Sequence, residues 1–193
     1  MDIGYKKGHL PTMVVKLAAD MIQGYSGKLA DIACGKGVLL DEVRRHTNKS
    51  VIGLDYAPDQ LAVAQANGMA VVRGSMFIMP IRNNVMDIAV CFNTLYNFYS
   101  LAELEPFLGE LARIVKINGK IVLDIRNREN IPLNMKYWWH MKLGKHPTVS
   151  HSLNRLSELM GGYGCRLICK KAVGLNNRYL AWGYVLVFEK EEA

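Results

Sequence analysis

The stretch that most constrains the fold is residues 29–37, Leu-Ala-Asp-Ile-Ala-Cys-Gly-Lys-Gly, where an apolar segment runs into a glycine turn. The residues that follow, 38–43, have the pattern of a helix. We expect the backbone N–H groups at Gly35 and Gly37 to approach a ligand at the start of that helix, because glycine permits close approach. A strand, a turn and a helix in this order predict the first unit of a parallel α/β sheet.

A second apolar segment, residues 51–54, ends in Asp55. An acidic residue about 20 positions beyond such a glycine turn, at the end of a strand, is placed to accept hydrogen bonds from ribose hydroxyls. A dinucleotide-binding turn would have a third glycine where this chain has Leu40, so NAD and FAD are disfavoured. Asp31, just before the turn, would repel a diphosphate but suits an ammonium or sulfonium group.

The pattern Asp-x-x-Cys-Gly-x-Gly, followed by an acidic residue at the end of the next strand, resembles motifs I and II of the class I S-adenosylmethionine-dependent methyltransferases. Ala33 stands where that family often has its first glycine. Residues 71–75, 86–93 and 111–123 resemble the family's third, fourth and fifth strands with their flanking segments, the last with a turn at 117–119. The resemblance implies a methyltransferase whose cofactor is S-adenosyl-L-methionine.

The resemblance also implies where the cofactor binds. Asp55 would hold the ribose hydroxyls, the glycine turn would follow the methionine part, and the loop after the third strand would contact the adenine. The implied cofactor-binding residues are Asp31, Ala33, Cys34, Gly35, Gly37, Asp55, Tyr56, Gly74, Ser75, Met76 and Asn93.

The alternation of strand and helix patterns through residue 126 predicts a doubly wound, Rossmann-like α/β fold with a mostly parallel sheet. A helix is predicted over 10–23 and another over 150–160. Two further strands are predicted over 165–173 and 179–189, with residues 171–178 supplying the hairpin connection. The resembled family implies seven strands in the order 3-2-1-4-5-7-6, with this hairpin antiparallel.

Length and composition favour one domain over residues 1–193, because 193 residues with 50% hydrophobic side chains can bury one substantial core. The longest apolar runs are strand-sized, and the first residues lack a signal-type segment. We therefore expect a cytoplasmic protein with no membrane partner. The four cysteines have no Cys-x-x-Cys spacing, so we expect reduced thiols and no metal site.

Residues 127–149 form a cap-like insertion that contains an aromatic cluster. Two adjacent tryptophans, Trp138 and Trp139, cannot share one face of a helix or strand, so at least one is expected to point towards a pocket or partner. We predict that both contact the methyl acceptor. The alternative is a packing plug over the sheet edge.

The sequence does not single out one catalytic base. Methyl transfer requires none, but a base helps if the methyl acceptor is a hydroxyl, a thiol or a carbon acid. The candidates are His140, His151, Tyr96 and Tyr99. The chain has neither an Asn-Pro-Pro-Tyr loop nor a Pro-Cys pair, which disfavours nucleobase amino groups and cytosine C5 as methyl acceptors.

Positive charge is concentrated in residues 126–171, which hold nine Lys or Arg against Glu129 and Glu158, a net charge equal to the +7 of the whole chain. This favours an anionic substrate or surface.

Three functions remain open. The first is methylation of a small molecule, anionic or aromatic; the second is methylation of RNA or protein through the basic 126–171 segment; the third is a non-catalytic cofactor-binding subunit.

Overall fold

The fold is built around a seven-stranded sheet with the order β3-β2-β1-β4-β5-β7-β6. A computed structural model describes residues 10–24, 26–46, 50–144 and 148–192 of the chain. The first five strands run parallel, and β7 is antiparallel to both β5 and β6, which confirms the predicted order and terminal hairpin. The strands are β1 (Lys28–Ile32), β2 (Ser50–Asp55), β3 (Val71–Arg73), β4 (Met86–Cys91), β5 (Val115–Arg126), β6 (Cys165–Gly174) and β7 (Ala181–Lys190).

Helices cover both faces of this sheet. One apolar cluster lies under the first helix and the other under the fourth and sixth. None of the described helices is long and apolar enough to cross a bilayer. The helices are α1 (Leu10–Ile22), α2 (Val38–His46), α3 (Pro58–Ala66), α4 (Leu101–Ile114), α5 (Ile131–Lys142) and α6 (Leu153–Gly162), with a short 3₁₀ helix over Leu95–Asn97.

Two predicted connections differ from the structure. The turn predicted at 117–119 lies inside β5 as a bulge, between the pairs Met86–Val115 and Ile88–Lys120, so α4 passes directly into the strand. The predicted hairpin connection at 171–178 is shorter, because pairing between β6 and β7 continues to Gly174. Residues 1–9, to which the prediction about a signal segment refers, lie outside the described residues.

A glycine in β2 brings the glycine turn and α2 close to the sheet. A Cβ at Gly53 would lie 2.6 Å from the Cys34 Sγ and 2.7 Å from Leu40 Cδ1. Cys34 and Leu40 belong to a small apolar cluster that extends to α3. In a dinucleotide-binding turn, a glycine at the helix start provides this close contact. Here Leu40 occupies that position, and Gly53 of β2 supplies the space for the close contact instead.

We predict that Gly53→Ala destabilises the fold by about 1 to 3 kcal/mol, because the added methyl overpacks this contact. Urea denaturation followed by circular dichroism measures the change. Gly161→Ala is the matched control, since a Cβ at Gly161 in α6 meets nothing within 4 Å. The control is expected to be neutral or stabilising. Equal stability of the two variants would contradict the prediction.

Candidate functional site

The glycine turn after β1 is fixed to the end of β2 by the carboxylate of Asp55. Its Oδ2 accepts a hydrogen bond from the Gly35 N–H at 2.7 Å, and its Oδ1 accepts one from the Ala57 N–H at 2.9 Å. The Gly37 N–H donates to the Cys34 carbonyl at 2.9 Å. The sequence predicts that the N–H groups of Gly35 and Gly37 approach a ligand. In the structure both instead donate hydrogen bonds to acceptors of the protein, and these bonds close the turn.

The backbone of the turn explains its glycines. Gly35 and Gly37 have φ of +53° and +78°, in the left-handed region. A Cβ on Gly35 would meet nothing nearer than Gln60 Oε1 at 4.0 Å, whereas one on Gly37 would press on Met69 at 3.2 Å. Gly35 therefore borders open space. At Gly37, glycine is needed because Met69 packs too close to leave room for a Cβ. Ala33 also has a positive φ, +58°, at the position where the resembled family often has glycine.

Asp31 brings a second carboxyl group to the turn, and it is buried. Burial, followed by the negative charge of Asp55, raises the pKa of Asp31 to about 8. A positively charged group nearby would favour the ionised form of this carboxyl. The pair of carboxyl groups thus makes this edge of the sheet suited to a cationic ligand.

The loops after β2 and β3 lie at the same edge, because Asp55 pairs with Arg73 in register. Tyr56 is exposed, and the Arg73 guanidinium lies 5.6 Å from the centre of its ring. The Gly74 N–H donates to the Asp55 carbonyl at 3.0 Å. Ser75 and Met76 follow in the same loop, and both are partly exposed. The predicted adenine-contacting residues are therefore adjacent to the turn.

A buried ion pair lies where β4 and β5 end. Arg126 Nη1 donates to Asp124 Oδ2 at 2.8 Å, and the two side chains are only 3% and 1% exposed. Asn93, with φ +55°, donates its N–H to Asp124 Oδ1 at 2.6 Å and accepts from Arg126 Nη2 at 3.0 Å. The Arg126 guanidinium carbon lies 4.4 Å from the centre of the Tyr96 ring. This pairing leaves the site without a net buried charge.

Helix α5 adds Tyr137 to this group. The pKa of Tyr137 is raised, first by burial and then by the nearby Tyr96 and Asp124, against the opposing charge of Arg126. We name Asn93, Tyr96, Asp124, Arg126 and Tyr137 the strand-end cluster. Of these five residues, only Asn93 and Tyr96 are predicted from the sequence as site residues. Because β4 and β5 are parallel neighbours, their carboxyl ends lie at one edge of the sheet. The position of Asp124 and Arg126 at the end of β5 is therefore a signal that could have identified them from the sequence.

The two tryptophans lie on the outer side of α5. Trp138 is 54% exposed and Trp139 59%, and no residue of α5 is fully buried. Neither side chain is therefore fully buried, as the side chain of a packing plug over the sheet edge would be. Tyr137 is the residue of α5 whose pKa is shifted, after burial, by Arg126, Tyr96 and Asp124 of the strand-end cluster. A contact between the tryptophans and the methyl acceptor stays a prediction.

The four candidate bases are spread over different places. Tyr96 belongs to the strand-end cluster, whereas Tyr99 is exposed and His140 lies in the last turn of α5. His151 is buried, with its Nε2 2.9 Å from the Leu95 carbonyl oxygen. Burial lowers the pKa of His151, so the ring is neutral at neutral pH and Nε2 carries the donated proton.

Neither a thiolate at Cys34 or Cys91 nor a metal centre is found in the part of the chain that is described. Burial raises the pKa of Cys34 and Cys91, which keeps both thiols protonated. No group of three or more His, Cys, Asp or Glu in the described ranges could hold a metal ion.

Comparison with known proteins agrees with this geometry. Residues 30–123 match a family model described as a methyltransferase domain. The matched range begins in β1 and ends in β5, so it contains the glycine turn and the ends of the first four strands. No curated protein matches the chain in sequence.

Solved structures share the whole fold at low sequence identity. A Pyrococcus horikoshii protein is similar with a TM-score of 0.79 and 16% identity, over 99% of this chain and 94% of that one. Magnesium protoporphyrin IX methyltransferase from Synechocystis, with bound S-adenosylhomocysteine, has a TM-score of 0.76 and 13% identity, over 97% and 90%. An S-adenosylmethionine-dependent methyltransferase from Thermotoga maritima has a TM-score of 0.73 and 19% identity, over 94% of this chain and 90% of that one.

We predict that Asp31 makes the stability of the protein fall with rising pH. Between pH 3.8, its usual pKa, and about 8, the folded protein keeps a proton that the unfolded chain has lost. Asp31→Asn removes the cost, to the free energy of folding, of taking up this proton. Its melting temperature should exceed that of the wild type by an amount that grows from about pH 4 to about pH 8.

Circular dichroism melts across this pH range measure the difference. Asp20→Asn is the control, because Asp20 is exposed on α1. Its melting temperature should follow the wild type at each pH. A difference for Asp31→Asn that stays constant with pH would contradict the prediction.

Proposed function

Because the chain belongs to the class I S-adenosylmethionine-dependent methyltransferase family, we propose that it transfers a methyl group from S-adenosyl-L-methionine to a small-molecule acceptor. The observation that carries this proposal is the glycine turn held by Asp55 beside the buried Asp31. The turn offers space at Gly35, and the two carboxyl groups favour a cation. S-adenosylmethionine has both a sulfonium and an ammonium group.

The cofactor would use three parts of this edge. Each oxygen of Asp55 accepts one backbone N–H and keeps a lone pair for a ribose hydroxyl. The methionine part would lie along the open space at Gly35, with its positive charge near Asp31. The adenine would lie between Tyr56 and the loop at 74–76.

The methyl acceptor would bind at the strand-end cluster. β4 lies between β1 and β5 in the sheet, so the cluster is next to the turn. Arg126 and the ring of Tyr96 offer a cation and an aromatic surface, which suit an anionic or aromatic molecule. Methyl transfer is an in-line displacement, so positioning and exclusion of water supply much of the rate.

Helix α5 would act as the cap over this acceptor. It has no fully buried residue, so it can move without opening the core. Closure would bring Trp138 and Trp139 nearer to the cluster and exclude water. Tyr96 is the candidate base within the cluster for an acceptor that must lose a proton.

The basic segment supports a nucleic-acid substrate less than its composition suggested. Of its eight cations among the described residues, three are paired: Arg126 with Asp124, Arg155 with Glu158, and Arg166 with Glu189 and Glu191. A cation already beside a carboxylate adds less to the positive potential that attracts a polyanion. This observation favours a small molecule over RNA as the methyl acceptor.

Label transfer from methyl-labelled S-adenosylmethionine tests the proposal. The purified protein is incubated with a small-molecule cell extract and, separately, with total RNA or with protein. We expect label in the small-molecule fraction. Transfer to RNA or protein would support the second function. Binding of S-adenosylhomocysteine without any transfer, together with a copurifying second chain, would support a non-catalytic subunit.

We predict that Asp55→Ala weakens the binding of S-adenosylhomocysteine by about 10- to 150-fold, the loss expected for charge-assisted hydrogen bonds. Isothermal titration calorimetry measures the dissociation constant. Asp59→Ala is the control, because Asp59 is exposed in the first turn of α3. An unchanged dissociation constant in a folded Asp55→Ala protein would place the ribose elsewhere.

We predict that replacing Trp138 and Trp139 by Ala strongly lowers methyl transfer to the small-molecule fraction. Because both side chains are more than half exposed, the free energy of unfolding should change by less than about 1 kcal/mol. The dissociation constant of S-adenosylhomocysteine should not change. Trp182→Ala, in β7, is the control and should retain transfer. Full activity of the double variant would remove the tryptophans from the acceptor site.

A further inference from the structure

A cavity of about 590 Å³ lies beneath the β6–β7 hairpin, on the face of the sheet that α6 covers. Its floor is formed by Ile125 of β5, Ala172 of β6 and Tyr184 of β7. The first residues of α6 and the hairpin loop at 176–178 form its sides. This volume is within the usual range for small-molecule sites.

The cavity is separate from the proposed methyl-transfer site. Side chains alternate along β5, so Ile125 faces the cavity while Asp124 and Arg126 lie on the other face of the sheet. None of the residues that line the cavity belongs to the glycine turn or to the strand-end cluster. A ligand in the cavity would therefore leave the cofactor site free.

The lining of the cavity carries positive charge. It includes three cations, Arg128, Lys170 and Arg178, and one acid, Glu129. Arg178 is paired with Glu129 through two contacts of 2.5 and 2.6 Å. Arg128 and Lys170 form no ion pair with a carboxylate of the described residues. Two cations are thus left over, and an anion would neutralise them.

Neutral donors and an apolar surface complete the lining. Ser152 caps α6 by accepting from the Arg155 N–H at 3.4 Å, so the N–H groups of Leu153 and Asn154 have no partner within the helix. These groups point outward from the helix N-terminus, where an anion is stabilised. Ile125 and the ring of Tyr184 form a buried apolar floor, and the Tyr184 hydroxyl donates to the Arg178 carbonyl at 3.4 Å. The Lys170 ammonium lies 5.0 Å from the centre of the Tyr184 ring.

We propose that this cavity binds a small organic anion. Its charged group, a carboxylate or a phosphate, lies between Arg128, Lys170 and the start of α6. Its apolar or aromatic part packs on Ile125 and Tyr184. The site adds a third ligand to the protein, besides the cofactor and the methyl acceptor.

Isothermal titration calorimetry of the full chain tests this proposal with three probes: phenyl phosphate, benzoate and the neutral benzyl alcohol. All titrations are run with and without saturating S-adenosylhomocysteine. We expect saturable binding of at least one aromatic anion in both conditions, and none of benzyl alcohol. Comparison of the two anions distinguishes a phosphate from a carboxylate ligand. The S-adenosylhomocysteine titration also tests cofactor binding on its own, so failures of the two proposals can be distinguished.

Variants locate the bound probe. Arg128→Gln with Lys170→Gln should weaken anion binding at least about 10-fold. Lys171→Gln is the matched control, because Lys171 is the next residue of β6 and its side chain lies on the opposite face of the sheet. Binding by Lys171→Gln should equal that of the wild type.

Three results would overturn the proposal. The first is no saturable binding of either anion up to about 10 mM, an affinity too weak for a built site. The second is equal weakening by the control and the double variant. The third is loss of anion binding when S-adenosylhomocysteine is present, which would place the anion in the cofactor site.

Discussion

The rest of the site depends on the hydrogen bonds by which the Asp55 carboxylate holds the glycine turn. Its two oxygens bind the N–H groups of Gly35 and Ala57, so one side chain joins the turn after β1 to the start of α3. This closure fixes a turn whose residues at 33, 35 and 37 all have positive φ. Gly53 makes the closure sterically possible, because a Cβ there would collide with Cys34. The open space beside Gly35 follows from both contacts.

The electrostatics of the site divide into two regions with different charge states. At the turn, burial raises the pKa of Asp31, and the negative charge of the neighbouring Asp55 raises it further. At the strand-end cluster, Asp124 and Arg126 neutralise each other. A buried ion pair is weak evidence for stability, but it fixes the orientation of the groups that it bonds. Here it holds Asn93 and places the guanidinium on Tyr96.

The positive charge of the chain is also organised by its contacts. Part of the basic segment pairs with acids, some of them outside that segment, while Arg128 and Lys170 meet at one cavity. A count of charges along the sequence therefore overstates what a polyanion would encounter. Two unpaired cations beside one cavity suit a small anion better than a long one.

The sequence by itself determined the strand order, the glycine turn and the acidic residue at the end of β2, because local spacing and the family resemblance specify them. The bulge at residues 116–119 and the extended β6–β7 pairing depended on tertiary contacts, which override local turn chemistry. Only the structure joined Asp124, Arg126 and Tyr137, since strand ends distant in sequence meet at one sheet edge. It also decided that Trp138 and Trp139 lie outward, because the side of a helix that packs inward depends on its docking and not on its composition.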